Sequence, residues 1–158
     1  FVGLRILSGR MQGAQRAALR SIVERFRCEV RLTAQQNLLL VGIADRAALE
    51  IALRDAGLQP AASLPPVLRH SMACPALPTC GQALTEAERI GPELFGAIQA
   101  EADRAGLAGQ AIRVRVTGCP NGCARPYTAE IGIVGQSVNL YSIYLGGSET
   151  GTRLAALY

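Results

Sequence analysis

The chain has 158 residues, 49% apolar and 18% charged, which excludes a disordered segment and suits one sizeable core or two small ones. A net charge of +4 spread along the sequence, with only three Phe and four Tyr, gives no basic stretch interleaved with aromatics, so nucleic acid is not an expected ligand. No run of eighteen apolar residues occurs, so no membrane-spanning helix is expected.

All sixteen basic residues are arginine, a fixed fork for carboxylate or phosphate, and acidic small molecules or an acidic protein partner are the natural ligands. Five cysteines, an odd number, argue against a secreted disulfide framework and for a reducing, cytoplasmic setting. The chain opens Phe1-Val2-Gly3-Leu4-Arg5, without Met or signal-peptide architecture, and reads as a strand entered midway in a longer polypeptide.

Residues 1–7 read as a strand closed by Ser8-Gly9. From Gln12 to Arg27 the apolar residues Ala14, Ala17, Ala18, Leu19, Ile22, Val23 and Phe26 recur at three and four, which predicts an amphipathic helix. Cys28 reads as a small buried residue at its end. Val30 to Thr33 and Leu38 to Ile43 read as strands around Ala34-Gln35-Gln36-Asn37. Asp45 then caps a helix stopped by Gly57. Strand, helix, strand, strand, helix is most of a ferredoxin-like split βαβ unit, and Pro60, Pro65 and Pro66 mark its boundary. The expected organisation is α+β, with domains at 1–63 and 64–158.

His70, the single histidine, stands four residues before Cys74 and reads as a hydrogen-bonded loop residue. Cys74 and Cys80 bracket a segment that Pro75 and Pro78 keep from being helical. Thr85 with Glu88 fits a capping box for a helix, interrupted at Gly91-Pro92; a second helical stretch runs to about Ala105. Ile112-Arg113-Val114-Arg115-Val116 alternates like a half-buried strand. It leads into Thr117-Gly118-Cys119-Pro120-Asn121-Gly122-Cys123, a turn in which Pro120 fixes one angle and Gly122 can take positive φ, aiming two sulfurs at one point. Ala129 to Val134 and Leu140 to Leu145 read as strands, and Gly146-Gly147 as a turn or a close backbone approach. No Walker motif, G-x-G-x-x-G or Ser/His/Asp arrangement appears. The cysteine pattern C-x5-C, a long gap and C-x3-C suits zinc or an iron–sulfur cluster; x5 fits zinc knuckles poorly, and a disulfide pair or four structural thiols are the plainer readings.

These residues resemble one family, the sulfite and nitrite reductases that carry sirohaem and a [4Fe–4S] cluster. The resemblance lies in Ser71-Met72-Ala73-Cys74, Pro78-Thr79-Cys80, Thr85-Glu86-Ala87-Glu88-Arg89, Val116 to Cys123, Ala129 to Gly135 and Leu145-Gly146-Gly147. Upstream, Gly9-Arg10-Met11 and Arg31 to Leu38 look like the second ferredoxin-like half of these enzymes, so essentially all 158 residues are covered. The segments Cys74 to Cys80 and Cys123 to Tyr127 look most like the ferredoxin-dependent sulfite reductases, and Gly122 stands where nitrite reductases often carry Ser.

The resemblance implies a ferredoxin-like half-domain followed by an α/β domain binding sirohaem and [4Fe–4S]. Cys74, Cys80, Cys119 and Cys123 would ligate the cluster, Cys123 also bridging to the sirohaem iron, with Asn121 against the macrocycle or the cluster sulfurs. Arg31, Thr33, Gln35, Gln36 and Asn37 would hold some of the eight sirohaem carboxylates; for Gln36 and Asn37 plain turn chemistry is the alternative. The implied activity is six-electron reduction of sulfite to sulfide, with ferredoxin or a flavoprotein as donor. Nitrite reduction, or a non-catalytic iron–sulfur or zinc module, are the alternatives. Only the second of the family's two pseudo-repeated halves is matched. The anion-holding residues come mainly from the first half, so no catalytic residue is named here, and this piece alone is expected to be inactive and to self-associate.

Overall fold

In the computed structural model, which describes residues 1–158, the chain divides into two units, Phe1–Leu64 and Pro65–Tyr158. Both mix helix and sheet, and the fold is α+β.

In the first unit, β1 (Val2–Leu4), α1 (Gly13–Phe26), β2 (Glu29–Leu32), β3 (Leu38–Val41) and α2 (Arg46–Asp55) follow one another. The strand β3 lies between β1 and β2 and is antiparallel to both, with Leu40 opposite Val2 on one side and Val30 on the other. A helix joining two strands with a third inserted between them is the split βαβ arrangement. Apolar residues from both helices and the sheet form one core, in which Leu40, Leu49 and Leu53 are fully buried and Cys28 is buried with them. The first strand is shorter than its apolar run, because Leu7–Gly9 coils into a 3-10 turn in which Ser8 takes φ 49°.

Gln12 caps α1 reciprocally with Gln15, and Asp45 caps α2 by accepting the Ala48 N–H at 3.0 Å. That acceptor satisfies a helix-end donor which nothing else in the turn serves. Asp45→Ala is expected to cost about 1 kcal/mol, and Asp45→Asn much less, in urea denaturation.

The second unit is built on a five-stranded sheet in the order β4 (Met72–Ala73), β5 (Val114–Thr117), β6 (Ile131–Ser137), β7 (Leu140–Leu145) and β8 (Ala156–Leu157). The first three strands run parallel, β7 returns antiparallel to β6, and β8 pairs antiparallel with β7. The helices α3 (Pro66–His70) and α4 (Gly91–Arg104) contribute Val67 and Phe95 to a core shared with Ala73, Val114 and Val116. Buried Gln99 of α4 accepts the Val67 N–H at 2.9 Å, so a side chain of one helix closes the first turn of the other.

Three expectations are corrected here. No helix forms over Thr85–Ile90; the only helix in this stretch is α4, which Pro92 opens instead of interrupting. The Thr85 side chain, which sequence places as a cap, is buried and donates to the Gly118 carbonyl. The strand at 112–116 is not half-wet: β5 is buried throughout, Arg115 included, because sheet neighbours and loops cover both faces. His70 closes α3 instead of lying in a loop. No helix is long and apolar enough to cross a membrane.

Candidate metal centre

The ends of β4 and β5 place the cysteines. Because the two strands are parallel neighbours, their C-terminal ends emerge side by side, Cys74 directly after one and Cys119 two residues after the other. The Cys74 N–H continues the ladder to the Val116 carbonyl at 3.0 Å. From there the two cysteine loops are joined at Gly118. Its N–H donates to Cys74 Sγ at 3.3 Å, and its carbonyl accepts from the Leu84 and Thr85 N–H groups at 2.8 and 3.1 Å.

Only glycine fits that junction. A Cβ at Gly118 would stand 2.6 Å from the Ala76 Cβ and 2.8 Å from the Thr85 carbonyl oxygen. Gly135 of β6 is equally constrained, with Thr85 Oγ1 2.2 Å from where its Cβ would be. Sequence reading singled out neither residue, because a close approach between two loops distant in sequence leaves no local signal. It did identify Gly122, which takes φ 70°, and Gly147, where a Cβ would stand 2.6 Å from the Ala129 carbonyl oxygen.

All five cysteines are free. Cys74 is buried, Cys80 and Cys119 are partly exposed, and Cys123 is exposed. Burial pushes the Cys74 thiol up, N–H groups of Gly118 and Ala76 pull it back, and the charges of Cys123 and Cys119 push it up further. Asn121 Nδ2 donates to Cys123 Sγ at 3.2 Å, and Tyr127, in edge-to-face contact with Tyr144, donates its hydroxyl to the Pro120 carbonyl at 3.2 Å. The loop is therefore held from outside by an aromatic pair and from inside by Gly118.

The donor set can be tested against the groups it might hold. No three His, Cys, Asp or Glu side chains converge as ligands of one metal ion. Four thiolates on a single zinc would stand about 3.8 Å apart, given a Zn–S bond near 2.3 Å. A cluster gives each thiolate its own iron and so accepts a wider set. Backbone and amide N–H groups already aimed at the sulfurs are what a cluster environment requires. A further buried group, Thr117 Oγ1, has no hydrogen-bond partner at all. The thiols, with N–H groups aimed at Cys74 and Cys123, are of the chemical kind that an iron–sulfur cluster uses.

Beneath the second cysteine loop lies Arg115, fully buried. It donates to the Thr128 hydroxyl at 2.7 Å and to the Arg125 carbonyl at 3.3 Å, and Glu149 stands 3.9 Å away. Burial and then neighbouring Arg125 lower its pKa from the usual arginine value. Arg113 bridges Glu130 and Glu149 at 2.9 and 2.6 Å. Partial burial, and then Arg113 and Arg69, hold the His70 pKa below its ordinary value, with Glu149 and Glu130 opposing. A depressed histidine contributes stability that is complete above about pH 6.5 and is lost as pH falls through the lowered value. His70→Gln is therefore expected to flatten the acid side of a melting-temperature profile below about pH 6.5, leaving the neutral side unchanged.

The other candidate residues belong to the first unit. Arg31 pairs with Glu29 at 2.9 Å on an exposed strand. Thr33 Oγ1 accepts the N–H groups of Gln35 and Asn37 at 3.3 and 3.1 Å. Asn37 Oδ1 accepts from the Ile6 N–H and from Arg5 at 3.0 and 3.1 Å, and Gln36 takes φ 62°. Turn chemistry thus occupies the acceptor of Thr33, whereas that of Asn37 is taken by Arg5 and Ile6 from a distant part of the chain.

Comparison with known proteins gives one consistent result. Residues 1–54 match the family described as nitrite/sulfite reductase ferredoxin-like half domain. The chain is 54% identical over 82% of its length to a sulfite reductase [NADPH] hemoprotein beta-component of Acidithiobacillus ferrooxidans. It is 46% identical over 98% of its length to a sulfite reductase [ferredoxin] of Synechococcus elongatus. It covers 23% and 26% of those two proteins, so it spans about a quarter of the length of the curated relatives it matches. The solved structure of the Mycobacterium tuberculosis NirA protein superposes with a TM-score of 0.83 at 24% identity, covering 99% of this chain and 31% of that one, a likeness of fold.

Proposed function

Because this chain belongs to the sulfite and nitrite reductase family, we propose that it forms the electron-delivering part of a sulfite reductase. The observation that carries the reading is the Gly118 junction, which ties two cysteine loops together at the ends of adjacent parallel strands. We assign Cys74, Cys80, Cys119 and Cys123 as ligands of a [4Fe–4S] cluster, with Cys123 the ligand shared with sirohaem. When bound, the cluster would relay electrons from the external donor one at a time, and the sirohaem would supply the iron centre for six-electron reduction of sulfite to sulfide. Cys123 suits the shared position because it is the most exposed of the four. Asn121, already bonded to its sulfur, holds it in place.

In the first unit, Arg31, Gln35 and Gln36, with the remaining donors of Thr33 and Asn37, are the proposed partners of sirohaem carboxylates. For Arg31 this means exchanging Glu29 for a ligand carboxylate of the same charge. Sulfite is preferred over nitrite because the curated relatives carry that substrate in their names. Those relatives are named for NADPH and for ferredoxin alike, so a flavoprotein and a ferredoxin are both proposed donors, and the leaning towards ferredoxin gains no support from them. The proposed setting is the cytoplasm, where the thiols stay reduced.

The test is anaerobic reconstitution with iron, sulfide and sirohaem, followed by metal analysis and an absorption spectrum. Four irons and four sulfides per chain, with a Soret band lost in Cys123→Ser, are expected. A cluster without macrocycle would leave a carrier module, and stoichiometric colourless zinc would overturn the redox reading.

A further inference from the structure

Thr117 is the last residue of β5 and is fully buried, yet its hydroxyl has no hydrogen-bond partner. Orphaned buried hydroxyls are costly, and valine would fill the same β-branched shape without that cost. Packing alone therefore gives no reason for threonine here.

The strand register says where the hydroxyl lies. Residues two apart on a strand share a face, and cross-strand partners share it too. Thr117 thus shares a face with Arg115, and with their partners Val134 and Gly132. That face is covered by the Cys119–Thr128 segment: Arg115 donates to the Arg125 carbonyl, and the Pro126 carbonyl oxygen lies 2.3 Å from where a Gly132 Cβ would be. The neighbouring Gly118 N–H already serves Cys74 Sγ. The orphan donor accordingly lies on the sheet face that the second cysteine loop covers, two residues before Cys119.

We propose that the Thr117 hydroxyl is a hydrogen-bond donor to the cysteine-held cluster and raises its reduction potential, an inference that rests on the cluster reading above. Cluster and thiolate sulfurs are acceptors only, so a buried donor finds its partner when the centre is loaded. A bond to an anionic acceptor strengthens as negative charge is added, so it favours the reduced state. Thr117 is a positioning and tuning residue and takes no part in bond making.

Thr117→Val and Thr117→Ser are to be reconstituted with iron and sulfide, their content measured, and their cluster potentials determined by redox titration. Thr117→Val is expected to lower the reduced-to-oxidised ratio at fixed poise by up to about tenfold, equivalent to 59 mV for a one-electron couple. Thr117→Ser is expected to stay close to the parent. Melting adds a second readout: metal-free Thr117→Val should be at least as stable as the metal-free parent, while the gain on loading should be smaller. Loaded Thr117→Val with the parent potential would overturn the proposal and leave the cluster reading standing. A destabilisation of equal size in metal-free and loaded forms would make Thr117 merely structural and overturn it too. A parent chain that takes up no cluster would overturn both readings, and iron and sulfide content reports that case separately.

Discussion

Gly118→Ala is expected to destabilise the second unit by about 3 kcal/mol and to abolish cluster loading, a larger effect than any surface change in the same loops. The added methyl would meet the Ala76 Cβ at 2.6 Å and the Thr85 carbonyl oxygen at 2.8 Å. The first is rooted in backbone and the second is backbone, so neither can swing aside as a long side chain would. Overpacking of this kind costs about 1–3 kcal/mol, and four hydrogen bonds converging on one residue place this case at the upper end. Separating the loops moves Cys74 from Cys119 and Cys123, so loading fails even where the sheet survives. Chemical denaturation and iron content after reconstitution measure the two consequences independently. Gly118→Ala with normal iron content would mean that the junction does not set the spacing of the sulfurs.

Phe95→Ala carries the second large effect, about 3–5 kcal/mol by the usual cost of truncating a buried aromatic. Phe95 is 1% exposed and is the one aromatic ring in a core that it shares with Val67, Met72, Val114 and Val116 and with the smaller Ala73, Cys74, Ala76, Ala87 and Ala124. Close-packed neighbours relax only partly into a void, so much of the cavity persists. The loss is expected in the denaturation midpoint at unchanged slope, with Phe95→Leu recovering much of it.

The elements of the first unit were legible because each carries its own punctuation. Asp45 before an apolar period of three and four marks a helix start, and Ala34-Gln35-Gln36-Asn37 between apolar runs marks a turn. In the second unit the legible parts were the cysteine turn with Gly122, the strands of the antiparallel pair and the close approach at Gly147. What failed did so for reasons of context. Thr85 and Glu88 satisfy the local grammar of a capping box, but the Thr85 hydroxyl and N–H both go to Gly118, thirty-three residues away. Alternation around Arg115 reads as a strand with one wet face, and only the loop folded over it converts that face to interior. The short strands β4 and β8 have too few residues for any period to show. Thr117 was visible only as part of a motif, since being buried and unpartnered is a property of its surroundings.

The graded exposure of the four sulfurs has a practical meaning for the metal-free chain. A thiol-directed reagent meets Cys123 at the rim, then Cys80 and Cys119, and reaches Cys74 on the floor only after the loops part. Cys28, in the core of the other unit, is buried as well and is labelled only when that core opens. Time-resolved alkylation read by mass spectrometry therefore becomes a depth gauge. The interval between the first sulfur labelled and the fourth reports how often the two loops breathe apart.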